Sequence, residues 1–242
     1  MCWGSFLNVV GYRVLRNQSL IPRSACPSCN TVLPWYHLIP LFSWIFLRGR
    51  CAFCATPISW LYPTVELLSG TVLTLLYASQ PCVTFAIYFI FVSALLVTFR
   101  TDIEHQLILN CMSQGIIPLG LFASATHLIP LSILDSVLGI LFGFGILWIV
   151  KTVFWHIKKQ EGLGAGDPLL LAMIGSFTGP LGVWIILLIG SAMGSLIGIC
   201  MLLSQKNASG YPLRLPFGAF LALGTMAYLL IGPSLAKIII PA

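Results

Sequence analysis

The stretch 82–100, CVTFAIYFIFVSALLVTFR, offers no charge until it reaches Arg100. An α-helix needs about 20 apolar residues to cross about 30 Å of hydrocarbon, so 82–99 reads as a membrane-spanning helix. Comparable runs lie outward from it at 61–80, 107–127, 131–155, 181–204 and 216–240, with a shorter one at 168–178. The composition agrees: 58% of the residues are hydrophobic and 7% charged, against about 25% charged in a soluble domain. A water-facing surface cannot be built from that. The expected fold is an all-α polytopic membrane protein, a bundle of about seven to eight transmembrane helices with one polar loop facing the cytoplasm.

Three regions follow: residues 1–12 as a truncated first transmembrane segment, 13–60 as the polar loop, and 61–242 as the helical bundle. No basic stretch precedes an apolar core at the N-terminus, so no cleavable signal peptide is expected. With the loop placed in the cytoplasm and 168–178 counted as a crossing, Arg13, Arg16, Arg23, Arg48, Arg50, Arg100, Lys151, Lys158, Lys159, Lys206 and Arg214 fall on one side. Only Lys237 falls on the other. That asymmetry is the positive-inside pattern. The net charge of +6 therefore reports topology and contact with anionic lipid. No nucleic-acid-binding pattern is present. Gly190, Gly194 and Gly198 recur every fourth residue, which predicts a small-residue face for close helix packing.

Four of the eight cysteines lie in the loop as two C-x-x-C pairs, Cys26 with Cys29 and Cys51 with Cys54. The 21 residues between the pairs are close to zinc-ribbon spacing, and zinc takes four ligands at the corners of a tetrahedron. Disulfides are disfavoured on a reducing cytoplasmic face. A structural zinc site on Cys26, Cys29, Cys51 and Cys54 is the expectation, with His37 a reserve ligand. Cys2, Cys82, Cys111 and Cys200 sit in apolar contexts and read as small buried hydrophobes.

The chain has three aspartates and three glutamates. Glu66, at the start of a span, complements a helix dipole; Asp135 reads as a solvated or capping residue and Glu161 as a solvated loop charge. Asp102 can cap a helix starting near Ile103 or pair with Arg100. Asp167, just ahead of Pro168, can cap the helix that follows. Their joint placement supports a different reading. Between them one helix goes out and one returns, so both fall at the same membrane boundary and could face each other. Two carboxylates sharing a site cannot both ionise readily, so one keeps its proton. Such a pair can draw a proton from water while hydrogen-bonding a scissile carbonyl, which is aspartic-protease chemistry. Gly162, Gly164 and Gly166 would let a substrate backbone approach Asp167. A transporter fits poorly, because these carboxylates lie at helix mouths rather than at the bilayer midplane.

Several segments together resemble the prepilin peptidase (type IV leader peptidase) family: GSFLNVVGYR at 4–13, the cysteine loop and following span from Cys26 through Gly70, DIEHQLILN at 102–110, GAGDPLLLAMIGSFTG at 164–179 and LPFGAFLALG at 215–224. The resemblance implies a GxGD-type aspartic endopeptidase of the bacterial inner membrane with its site facing the cytoplasm. It implies cleavage of the leader from type IV prepilins and type II secretion pseudopilins, then N-methylation of the new terminus from S-adenosylmethionine. It assigns Asp102 and Asp167 as the catalytic pair, Cys26, Cys29, Cys51 and Cys54 as zinc ligands, and Gly49 to methyl transfer. No glycine-rich fingerprint for the methyl donor is present, so that activity is implied by the resemblance alone.

The chain departs from the family pattern at four places. Only Met1, Cys2 and Trp3 precede GSFLN, where a full span is usual. Leu169 stands where lysine is usual, and Leu109 and Ala219 where proline is usual. A degenerate, non-catalytic homologue acting as a membrane assembly factor is the alternative expectation.

Overall fold

A computed structural model describes residues 1–159, 164–204 and 215–239; Glu161, Gly162, Lys206 and Arg214 lie outside these. The chain forms α1 (Cys2–Val14), a short 3-10 turn (Trp35–Leu38), α2 (Phe42–Phe46), α3 (Leu61–Ser79), α4 (Cys82–His105), α5 (Asn110–Ala125), α6 (Ile133–Lys158), α7 (Asp167–Ser204) and α8 (Phe217–Ile239). No strand occurs among the described residues, only two isolated bridges in the loop. Four helices, α3, α4, α6 and α7, are long and apolar enough to span a bilayer. The protein is a multi-pass membrane protein.

The quoted stretch becomes the central helix. α4 packs against α1, α3, α5 and α8, and Phe91, Val92, Leu95 and Leu96 on it have no exposed surface. Phe91 stacks on Phe177 of α7 with ring centroids 4.0 Å apart. One stripe of the helix, Val83, Ala86 and Ile90, stays exposed, where lipid would meet it.

α7 breaks where the sequence predicts separate runs at 168–178 and 181–204. Gly179 has φ 67° and ψ 179°, a left-handed conformation that glycine takes at little cost. Pro180 follows; it supplies no N–H and disfavours helical geometry in the residue before it. The first half, 167–178, therefore rises only about 18 Å, less than the about 30 Å of a hydrocarbon layer. With its two halves counted apart, the described residues form eight bundle rods, α1, α3 to α6, the two halves of α7 and α8, within the expected seven to eight.

α6 and the first half of α7 touch backbone to backbone. A Cβ on Gly139 would lie 2.9 Å from the carbonyl carbon of Gly175, and one on Gly143 would lie 2.6 Å from the oxygen of Leu171. The glycine row of α7 does face a partner: a Cβ on Gly190 would lie 3.2 Å from Leu221, and one on Gly194 would lie 3.2 Å from Phe220, both of α8. α6 starts with a reciprocal cap. The Ser132 hydroxyl accepts the Asp135 N–H at 3.0 Å and donates to Asp135 Oδ2 at 2.7 Å, so Asp135 is a capping residue.

One expectation fails. Cys2, Cys82, Cys111 and Cys200 are all exposed. In a bilayer a small apolar side chain costs nothing at the lipid-facing surface, so an apolar context does not separate core from periphery.

Candidate active site

Asp102 lies in the last turn of α4 and is 5% exposed. Its Oδ2 accepts the backbone N–H of Ala219 at 2.8 Å, in the first turn of α8. The first turn of a helix has N–H groups without intrahelical partners, so the carboxylate satisfies one of them. Neither local expectation for Asp102 holds. α4 continues to His105 and ends at Gln106 in the left-handed conformation, φ 53°, so no helix starts at Ile103. Arg100 pairs instead with Glu104, one turn along the same face, at 3.1 Å. Its guanidinium also binds Asn8 of α1 and lies 4.4 Å from the ring centre of Tyr62. Residues 100 and 104 share a helix face that residue 102 does not.

Asp167 is the first residue of α7 and is 4% exposed. Gly164 and Ala165, which lead to it, are exposed. A Cβ on Gly164 would lie 2.7 Å from Asp167 Oδ2, so a side chain there would press on the carboxylate. Gly166 has another duty: a Cβ on it would lie 2.7 Å from Ile108 and 3.0 Å from Asn110. It seats the α4–α5 connection rather than a substrate.

The two aspartates converge through one shared wedge. Ile108 packs against Gly166, beside Asp167, and against Gly218, where an added Cβ would lie 3.1 Å from Asp102 Oδ2. Asp102 and Asp167 lie within electrostatic reach of each other. The charge of Lys151 on α6 also reaches Asp167. Leu169, where lysine is usual, is half-buried.

The cysteine loop is built twice over the same plan. In each half a cysteine N–H donates to a threonine carbonyl: Cys26 to Thr31 at 3.0 Å, Cys51 to Thr56 at 2.9 Å. In each half the cysteine carbonyl accepts an N–H four residues on, from Asn30 at 2.8 Å and Ala55 at 2.9 Å. Asn30 and Ala55 both have positive φ, 54° and 58°. The four Sγ atoms lie within 4.8 Å of one another, with Cys26 and Cys54 3.7 Å apart. Zinc–sulfur bonds of about 2.3 Å place tetrahedral sulfurs about 3.8 Å apart, so the set fits a zinc ion. The Thr31 hydroxyl lowers the pKa of Cys29 and the Thr56 hydroxyl that of Cys54; the Cys54 and Phe53 amides lower that of Cys51. Cys26 is raised: the Cys29 amide favours its thiolate, but burial and the neighbouring thiols outweigh it.

Two ties fasten the loop to the bundle. Arg13 donates to the carbonyls of Ser19, Leu20, Pro22 and Arg23. Glu66, buried in α3, accepts the Leu41 N–H at 2.9 Å. Glu66 is thus an anchor for the loop rather than a dipole partner. Gly49 has φ 67° and lies against Trp44, where a Cβ would come 2.9 Å from the ring. His37 lies outside the thiol cluster, with its Nδ1 buried and unpartnered among the described residues.

Residues 1–80 match the model of the bacterial peptidase A24 N-terminal domain, and residues 89–199 match that of the type IV leader peptidase family. The chain belongs to the type IV leader peptidase family. A prepilin leader peptidase/N-methyltransferase of Myxococcus xanthus is 38% identical over 86% of this chain and 62% of its own length. A type 4 prepilin-like proteins leader peptide-processing enzyme of Escherichia coli is 34% identical over 93% of this chain and 88% of its own. A prepilin leader peptidase/N-methyltransferase of Aeromonas hydrophila is 34% identical over 90% and 74%. The chain thus spans less than two thirds of the Myxococcus relative. No solved structure matches. The four loop thiols fall within the first family match and both aspartates within the second.

Two features escaped the sequence reading. The repeat C-x-x-C-x-T, at 26–31 and 51–56, was the available signal for the doubled loop. For Lys151 the only signal was its side of the membrane, which it shares with Asp167; the sequence does not show which residues it lies near.

Proposed function

We propose that this leader peptidase family member is an aspartic endopeptidase of the bacterial inner membrane. It removes the leader of type IV prepilins and type II secretion pseudopilins on the cytoplasmic side and then methylates the new N-terminus. The observation that carries the reading is the pair of buried carboxylates, one closing α4 and one opening α7, within electrostatic reach of each other. The one-sided distribution of arginine and lysine supports the orientation. The names of the relatives support the substrates and the methyl transfer.

The chemistry needs one proton shared between Asp102 and Asp167. The ionised carboxylate takes a proton from water as its oxygen attacks the scissile carbonyl carbon. The protonated carboxyl donates to the carbonyl oxygen. Collapse of the tetrahedral species breaks the C–N bond, and the leaving nitrogen takes the proton first removed from water. Recessing both carboxylates near an 18 Å half-helix (about 12 residues at 1.5 Å each) limits competing water and strengthens their coupling. The loop thiols would hold zinc, which there supplies a cross-link rather than a Lewis acid. The non-catalytic alternative draws on Leu169; a cation on α6, Lys151, whose charge bears on Asp167, supports the catalytic reading instead.

The test is the mass of the N-terminus of a co-expressed prepilin. The proposal expects loss of the leader plus the mass of one methyl group. An intact leader with wild-type protein present in the membrane would overturn it.

A further inference from the structure

On the opposite side of α4 from Asp102 lies a half-open cleft that could be a second site. A cavity of about 610 Å³ is bounded by α1, the cysteine loop, the start of α3 and Glu104. Small-molecule sites run from about 300 to 1,000 Å³. Resting on the reading of the chain as a methyltransferase, we propose that this cavity binds the methyl donor, a nucleoside sulfonium with an amino-acid tail.

The lining has both the charges and the surfaces such a molecule needs. Glu66 and Glu104 lie in the wall and match an ammonium and a sulfonium. Arg16 also lines it and matches a carboxylate. Trp44 and Tyr62 give aromatic faces, suited to an adenine ring and to a sulfonium cation. His37 lines the same space, and its buried Nδ1 has no partner among the described residues. A buried polar atom without a partner calls for one, and a ribose or adenine supplies it.

The surroundings explain why this wall holds its shape. Cys26 and Cys51 line the cavity as well, so the thiol cluster fixes its floor. Glu66 is held by the Leu41 amide and Glu104 by Arg100. Gly49 is absent from the lining but backs Trp44, whose Nε1 donates to the Ile58 carbonyl at 3.2 Å. Gly49 is therefore a positioning residue: a side chain there would collide with the indole and displace it from its place in the wall. The arrangement places cleavage and methylation on opposite faces of one helical turn, 102 on one side and 100 and 104 on the other, so a freed amine has a helix diameter to travel.

The test is binding of S-adenosylhomocysteine, which cannot transfer a methyl group, to the purified full-length protein in detergent, measured by calorimetry. Wild type should bind one equivalent. Glu104→Gln, Trp44→Ala and Gly49→Ala should each weaken binding at least tenfold with zinc content unchanged, whereas Asp167→Asn should change it less than twofold. Photolabelling of wild type with an azido-adenine analogue should mark peptides of α1 or the loop. Wild-type binding with all three variants equally tight, or labelling confined to α5–α8, would overturn the location alone. No binding by wild type would overturn the methyltransferase reading together with the site.

Discussion

The two faces of α4's last turn meet regions held together in different ways. On the Asp102 side, order comes from helix packing: Ile108 wedged between Gly166 and Gly218, and a carboxylate locked to the first turn of α8. On the Glu104 side, order comes from cross-links: four thiols, the carbonyl fan on Arg13 and the Glu66–Leu41 tie. Many loop apolar side chains stay exposed, Trp35, Phe46 and Trp60 among them, so the loop has little core of its own. One region depends on apolar burial, the other on a cluster of four thiols and a few polar ties. The two should therefore fail separately.

Substitution at the dyad should give the largest effect. Asp102→Ala or Asp167→Ala should lower leader cleavage by about a thousandfold or more, with the zinc content of the purified protein unchanged. Elemental analysis beside a cleavage assay checks both halves. Retained cleavage in either variant would remove that aspartate from the chemistry.

Loss of a thiol should do the reverse. Cys51→Ser should reduce bound zinc to about a tenth or less, since three ligands no longer close the tetrahedron. Methyl transfer should fall with it, while helix content by circular dichroism stays. Stoichiometric zinc in the variant with all four cysteines replaced would refute the ligand set.

Smaller changes sharpen the comparison on the dyad side. Gly218→Val puts a side chain against Ile108 and Asp102 Oδ2, which an added Cβ would meet at 2.8 and 3.1 Å. Cleavage should fall about tenfold, whereas binding of S-adenosylhomocysteine stays. Lys151→Met should have the mildest effect, about threefold on cleavage, and Leu169→Lys in that background should restore it. A Leu169→Lys gain without any Lys151→Met loss would show that α6 supplies no cation.

Much of the fold was legible because membrane spans are set by one strong term, apolar length. The expected runs at 61–80, 131–155 and 216–240 became Leu61–Ser79, Ile133–Lys158 and Phe217–Ile239. Pro180 marked the break in α7. Helix ends at the polar boundary were less legible: α4 runs to His105, beyond the apolar run, because Arg100 and Asp102 find buried partners on α1 and α8. Spacing singled out the thiols, and topology brought the two aspartates to one boundary. The face each residue takes was not legible, since helices apolar all round have no moment to read, and the exposed cysteines follow from that. The cavity was beyond reach because its walls come from residues as far apart as Ser5 and Glu104.

The central claim is that Asp102 and Asp167 act as a unit around one proton. The most direct measurement is the cleavage rate of the purified enzyme on a prepilin for Asp102→Asn, Asp167→Asn and the double variant. Groups acting as a unit give strongly non-additive losses, so the account predicts that the double variant is no slower than the slower single variant. Losses that multiply, or one single variant cleaving at the wild-type rate, would contradict it.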